Sequence, residues 1–259
     1  MIYNYNTGED FINENKEYLD TNPYLAVFFH IDAKVFKEEN KNNYIIKVSD
    51  GNNQLLAIRV EPYNLILFGS ALCVSELLNY LSQNQYVFDG IICENTVGNE
   101  LIKNHNYNLY IGMDFMKCTK KIPNVYHEVI KAKVDDLDEI VELCFEFFKE
   151  CGLPDIPNKE KMKSYIDKFS IIKDNDKIVS MAAYAPDTDN SLRLTHVYTM
   201  PEYRGRGYAR KIVSTITNEI LDKGMIATLN VDIHNPISYH LYTSIGFHKI
   251  FTQGIYKKN

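Results

Sequence analysis

The sequence predicts an α/β protein, a mixed sheet with flanking helices, laid out twice along the chain. Three observations carry that expectation. Apolar, β-branched runs of strand length alternate with stretches of helical spacing. One such run, 194–200, leads into Arg204-Gly205-Arg206-Gly207-Tyr208-Ala209 and then into a helix-like stretch, 208–223. The two halves also repeat a unit: Asn95 to Asn106-Tyr107 and Asn235 to Gly246-Phe247 share a separation of 11 residues, each with an Asn, a helix and an aromatic that opens a strand.

The elements follow in order. In the first half, two helical stretches (about 8–19 and 23–37) precede a hairpin, 44–49 and 54–61, turned by Asp50-Gly51-Asn52-Asn53. A strand at 65–68, a helix at 74–83, a short strand at 91–93, a helix at 97–105 and a long strand at 107–117 complete it. Residues 120–124, polar and marked by Pro123, read as the linker. The expected domains are therefore 1–122 and 126–259. The second half opens with a strand at 129–134. Asp136 and Glu139 have capping-box spacing before a helix at 137–149, whose apolar positions Leu137, Ile140, Val141, Cys144, Phe147 and Phe148 recur at helical intervals. A loop with Gly152, Pro154 and Pro157 leads to a polar helix at 159–169. A hairpin follows, 170–173 and 177–184 around Asp174-Asn175-Asp176. The strand 192–200, the glycine loop, the helix 208–223, the stop at Gly224 and the strand 227–233 form a strand–helix–strand unit. A helix at 236–244, with Pro236 at its first position, and a strand at 247–252 finish the chain.

Composition narrows the function. The formal charge of -6 and pI of about 5.7 argue against a general nucleic-acid binder, which needs a basic face. The acidic excess sits in the first half, so the second keeps more cations for an anionic ligand. Five cysteines, odd in number and without CxxC spacing, point to reduced thiols and a cytoplasmic location rather than a disulfide or zinc framework. The N-terminal stretch lacks the basic start and apolar core of a signal peptide, and no apolar run approaches membrane-spanning length.

The glycine loop carries the chemistry. Glycines at 205 and 207 admit unusual φ values and close approach to a ligand. The helix behind them aims free N–H groups and its positive dipole end at the same place. Together these suit an anion, most naturally a phosphate or pyrophosphate, and Arg204 and Arg206 add positive charge at the mouth. A G-x-x-x-x-G-K-[ST] loop is absent, and the G-x-G-x-x-G spacing of a dinucleotide site fails at Arg210, which argues against those two nucleotide classes.

Val197, Thr199, Pro201 and Arg204 through Ala209, in this element order, resemble the GNAT superfamily of N-acetyltransferases. Arg204, Gly207 and Ala209 fit its signature [Q/R]-x-x-G-x-[G/A], and Asn235, Pro236, Ser238, Tyr242, Gly246 and Phe247 fit a second family motif. The resemblance covers roughly 126–259. It implies an acyl-CoA ligand, most often acetyl-CoA, and no metal. It places the pyrophosphate on the amides of Gly205, Arg206, Gly207, Tyr208 and Ala209. It lays the pantetheine arm along the backbone of Val197, Tyr198 and Thr199, in a gap between the strands 192–200 and 227–233 that a β-bulge opens. Asn235 stands near the pantetheine amides, and Ser238 is a further cofactor-binding residue. Tyr242 becomes the general acid toward the departing thiolate, and His196 a candidate general base beside deprotonation through water or backbone carbonyls. Phe145, Glu146, Phe148 and Tyr184 fall where the family admits acceptors. The implied reaction is acetyl transfer to a primary amine; the alternative is a catalytically silent CoA-binding or sensing module.

The first half lacks these features. Gly69-Ser70-Ala71 follows its strand 65–68 without an arginine–glycine loop, and Ile102 stands where the repeat would put the tyrosine. A degenerate GNAT-like fold without CoA binding is expected there. Its open tasks are covering an acceptor cleft, buttressing the other half, or forming a homodimer.

Overall fold

The computed structural model describes residues 1–123, 126–152 and 156–259. Asn124 of the expected linker and Pro154 of the expected loop lie outside the described residues. In chain order the elements are β1 (Ile2–Asn4), α1 (Gly8–Leu19), α2 (Pro23–Val35), β2 (Tyr44–Ser49), β3 (Gln54–Arg59), β4 (Leu65–Gly69), α3 (Val74–Gln83), β5 (Ile91–Glu94), α4 (Asn95–His105) and β6 (Tyr107–Cys118). There follow β7 (Ile130–Lys131), α5 (Leu137–Glu150), α6 (Lys159–Lys163), β8 (Ser170–Asp174), β9 (Lys177–Thr188), β10 (Ser191–Thr199), α7 (Tyr208–Asp222), β11 (Ile226–Asp232), α8 (Pro236–Ile245) and β12 (His248–Lys258). The chain is α/β throughout.

Two units emerge. Unit 1 comprises Met1–Phe115, Asp232–His234 and Ile250–Asn259; unit 2 comprises Met116–Val231 and Asn235–Lys249. Residues 232–234 and 250–259 group with unit 1, and 116–122 with unit 2.

Unit 1 carries the strand order β1-β2-β3-β4-β5-β12-β6. Its pairings are antiparallel at β1–β2, β2–β3, β3–β4 and β5–β12, and parallel at β4–β5. Consecutive residues of a strand point to opposite faces. Leu55, Ala57, Leu65 and Leu67 accordingly pack with Val74, Leu77 and Leu81 of α3 and Val97 and Leu101 of α4. Leu56, Ile58, Ile66 and Phe68 pack with Phe11, Leu19, Leu25 and Phe29 of α1 and α2. Burial on both faces explains why these strands read as unbroken apolar runs.

Unit 2 has the order β11-β10-β9-β8-β7, with only β10–β11 parallel. One face packs on Ile212, Val213, Ile216 and Ile220 of α7 and on Tyr242 and Ile245 of α8. The other packs on Leu137, Ile140, Leu143 and Cys144 of α5 and on Met162. The spacing of 212, 216 and 220 is the i, i+4 ridge that makes α7 a helix with one buried face. Gly224, at φ +73°, ends it: its N–H donates to Leu221 O at 3.0 Å and Met225 N–H to Ile220 O at 3.2 Å, the two bonds of a Schellman stop.

Several expectations shift. β7 keeps two residues of the expected 129–134 strand. The expected helix 159–169 divides into α6 and a 3-10 turn at Ile166–Lys168. The Asp136–Glu139 capping box does not form. A 3-10 turn at Val134–Asp136 precedes α5, so the orphan donors begin earlier. Asp136 accepts from Lys133 N at 2.7 Å, and Glu139 instead accepts from Ile178 N at 2.7 Å. Among the described residues no disulfide forms; four of the five cysteines are buried and Cys151 is exposed. Among the described residues no helix is long and apolar enough to cross a membrane.

Candidate active site: a splayed strand pair and an uncapped helix

The site of unit 2 starts from a short parallel pairing. β10 and β11 match only at Ser191–Arg193 with Ile226–Thr228; beyond Arg193 and Thr228 the strands have no further register with each other. On its other edge β10 stays paired to β9 through Thr199, with a shift of one residue between Thr195 and Tyr198. That extra residue is a β-bulge, which bends the strand and re-aims its groups. His196 sits in it at φ +52°, in the left-handed region that non-glycine residues seldom enter. The expected gap and the expected bulge therefore occur together.

A buried polar clasp sits where the strands part. The Asp187 side chain has no exposed surface and ion-pairs with Arg193. Its Oδ2 accepts from Thr228 Oγ1 at 2.7 Å and from Ser191 Oγ at 3.3 Å. Thr228 is the last β11 residue in register with β10. A carboxylate taken out of water must be paired and hydrogen-bonded to persist. Here those bonds tie β9, β10 and β11 together at the branch point.

Past β10, a 3-10 turn at Pro201–Tyr203 leads into the glycine loop. Gly205 and Gly207 lie at φ +76° and +79°, and a Cβ built on either would meet nothing within 4 Å. The glycines are thus required by backbone conformation, and the space beside them is open. Gly207 is the N-cap of α7, and no side chain caps that helix. Its first-turn amides keep their donors and the dipole end stays uncompensated, since the first turn holds no acidic residue.

The arginines divide. Arg204 donates through Nε to Thr199 O at 2.9 Å and through NH2 to Glu150 Oε2 at 2.6 Å. Its charge is therefore offset at the mouth, contrary to the expectation for it, because the end of α5 brings Glu150 within ion-pair distance. Arg206 donates to Glu202 O at 3.2 Å, and its guanidinium lies 4.9 Å from the centre of the Tyr203 ring. Tyr208 and Ala209 are half-buried in the first turn of α7.

The remaining expected residues spread along the opening. Val197 packs against the α7–α8 core and Tyr198 is buried on the α5 side. Ser180 Oγ donates to Tyr198 O at 3.1 Å and lies 2.8 Å from Thr199 Oγ1, which pins this stretch to β9. Asn235 caps α8, its Oδ1 accepting from Ser238 N at 3.0 Å, so that oxygen is spent within the chain. Tyr242 is 6% exposed, and its ring meets Phe247 edge-on at 6.1 Å. Burial pushes its phenol far above the ordinary tyrosine range, so the hydroxyl keeps its proton.

His196 is enclosed by three phenylalanine rings, Phe147, Phe148 and Phe169, at 5.7, 5.5 and 5.6 Å. Its Nδ1 is buried without a partner. Burial lowers its pKa to about 4, so the imidazole is neutral near pH 7. Phe148 thus touches the bulge, whereas Phe145 is 50% exposed. Tyr184 is not brought to this region. It packs with the α7 core, and its hydroxyl donates to Glu219 Oε1 at 2.8 Å. The clasp and the Glu150 partner had no sequence signal, since both depend on contacts distant along the chain.

The Acetyltransferase (GNAT) family model matches residues 134–247. Residues 134–247 are a GNAT acetyltransferase domain. Its family and fold support acyl transfer. Solved structures of similar fold extend beyond that domain. A GNAT-family acetyltransferase from Colwellia psychrerythraea superposes with a TM-score of 0.65 at 14% identity, over 99% of this chain and 100% of its own. A GCN5-related N-acetyltransferase from Sphaerobacter thermophilus gives 0.61 at 14% identity, covering 83% of this chain and 80% of that one. One from Kribbella flavida gives 0.50 at 12% identity, covering 82% and 88%. Likeness at these identities speaks for the fold, and the fold spans both units.

Proposed function

We propose that the chain transfers an acetyl group from acetyl-CoA to a primary amine. The observation that carries this reading is the uncapped start of α7, with Gly205 and Gly207 in open left-handed conformations beside the β10–β11 opening. The diphosphate would sit on the amides from Gly205 to Ala209, with Arg206 nearby. The pantetheine arm would run along Val197, Tyr198 and Thr199 on the edge of β10 that β11 leaves. The free Nδ2 of Asn235 and the Ser238 hydroxyl would face its amides.

In the reaction the amine nitrogen attacks the thioester carbon. The N–C bond forms, the carbonyl becomes an oxyanion near the backbone N–H of Val197 or Tyr198, and collapse breaks the C–S bond. The sulfur leaves as a thiolate. Tyr242, still protonated, donates to that sulfur. The ammonium proton of the acceptor leaves through water or backbone carbonyls. A neutral imidazole at a pKa of about 4 is poorly matched to an alkyl ammonium. We therefore assign His196 to shaping the bulge.

Within this reading unit 1 is a GNAT-like fold without a CoA site. Calorimetry with acetyl-CoA tests the binding step, and thiol release with a broad amine panel tests turnover. Binding in the micromolar range with turnover of at least one amine is the expected result. No binding at millimolar acetyl-CoA ends the proposal. Tight binding with no turnover on the panel would favour the silent sensing module.

A further inference from the structure

Unit 1 holds a cavity of about 360 Å³ lined by Asn42, Arg59, Glu61, Pro62, Val87 and Asp89. It lies where β3 ends and the chain turns toward β4. That is the end of the sheet opposite the β4–α3 turn, the counterpart of the glycine loop.

Its wall contains a buried cation with donors to spare. Arg59 is 5% exposed and donates through NH1 to Asn42 O. Its Nε has no partner, and among the described residues no carboxylate lies within ion-pair distance of it. Glu61 is held elsewhere: its two oxygens accept from Asn40 Nδ2 at 3.1 Å and Asn42 Nδ2 at 2.9 Å. Tyr44, directly across the strand pair from Arg59, is also buried with its hydroxyl unpartnered. Two buried donors without an acceptor are costly to a fold and need an explanation. At the rim the charge reverses, because Glu61 and Asp89 are exposed carboxylates.

We propose that this cavity binds a small zwitterion of the α-amino acid type, its carboxylate on Arg59 and its ammonium against Glu61 and Asp89. A simple anion would gain the guanidinium but meet two carboxylates. A simple cation would gain the carboxylates but leave the buried guanidinium without a counter-charge and its Nε without an acceptor. A ligand with both charges a few bonds apart answers both. Arginine's planar fork suits a carboxylate, and Val87 offers the ligand's side chain an apolar contact. The volume is at the low end of ligand sites, which fits a free amino acid better than a peptide.

Thermal shift and calorimetry on the full chain test this directly. The probes are glycine, alanine, glutamate and arginine at up to about 10 mM, with alaninamide and N-acetylalanine as blocked controls. At least one free amino acid is expected to raise Tm by linkage, and both blocked forms to fail. Arg59→Gln should abolish the response. Because a buried arginine can matter for folding, Asp89→Asn, an exposed change, is the second variant and should weaken binding by about tenfold or more. No response to any free amino acid overturns the proposal. So does equal binding of either blocked form, or a response that survives both variants. Acetyl-CoA binding measured on the same samples reads unit 2 separately, so failure of one reading is distinguishable from failure of the other.

Discussion

Both units open a parallel strand pair after a few residues, but they treat the space beyond it differently. In unit 1, β4 and β5 match only at Leu65–Ile91 and Ile66–Ile92, just as β10 and β11 stop at Arg193–Thr228. The turn after β4 is then filled by the chain itself. A Cβ on Gly69 would lie 2.3 Å from Gln54 O and 2.8 Å from the Tyr18 hydroxyl. Ser70 N donates to Gln54 O at 2.8 Å, and Ser70 Oγ accepts from Leu72 N at 3.3 Å. The turn after β10 has two left-handed glycines whose added Cβ would meet nothing within 4 Å, and a helix start that no side chain caps. At the tyrosine position the contrast recurs: Tyr242 is 6% exposed, Ile102 is 44% exposed. The opening is thus a property of the fold. An anion site needs, in addition, donors that the chain has left unspent.

The largest effect should come from closing the loop of unit 2. Gly207→Glu puts a side chain at φ +79° and a negative charge against the helix start. Acetyl-CoA affinity should fall by about 100-fold or more, read by calorimetry. Ser70→Glu, the corresponding change in unit 1, should leave that affinity unchanged. A large loss from the unit 1 variant would erase the distinction between the two turns.

Next comes the buried phenol. Tyr242→Phe keeps the ring packed on Phe247 and removes only the donor. Turnover should drop by about 100-fold with little change in KM, in the usual range for a lost acid. An unchanged kcat would leave Tyr242 with a packing role alone.

The clasp follows. Asp187→Ala leaves Arg193 and Thr228 without their shared acceptor and should cost about 3 kcal/mol in urea unfolding. If the clasp sets where β10 leaves β11, Thr228→Val should raise KM for acetyl-CoA with only a small change in Tm. Equal losses of stability and affinity in both variants would make the network purely structural.

How legible all this was depends on how local each cause is. The glycine loop, α7 with its Gly224 stop, and both hairpins were readable, since each rests on φ preferences and periodicity within a few residues. β1 was missed because three residues carry no pattern. β12 was expected to end at 252 but runs to Lys258, and its pairing with β5 places residues 250–259 in unit 1. That depends on partners about 160 residues away, which no window of sequence displays. The offset of Arg204 by Glu150, and the pull of Tyr184 toward Glu219, have the same origin. Each is a tertiary contact that overrides a motif-based expectation.

The smallest effects concern buried titrating groups, and the two units carry opposite signs. In unit 1 Asp32 is buried with an unpartnered Oδ2, and burial raises its pKa from 3.8 to about 6. The folded state therefore holds a proton that the unfolded state releases, and stability falls as pH rises from about 4 to 6. In unit 2 burial lowers His196 from 6.5 to about 4. There the unfolded state gains the proton first, so stability falls as pH drops from about 6.5 to 4. Each contribution is worth at most about 3 kcal/mol, and the two slopes oppose each other across the shared window. Asp32→Asn should expose the histidine slope, giving stability that climbs with pH over this range. His196→Asn should expose the aspartate slope, giving stability that declines. Asn also tolerates the left-handed bulge, so this variant should keep kcat within a few-fold. Urea titrations at half-unit pH steps read both slopes. A parallel drop of about 100-fold in kcat for His196→Asn would return the imidazole to the role of general base.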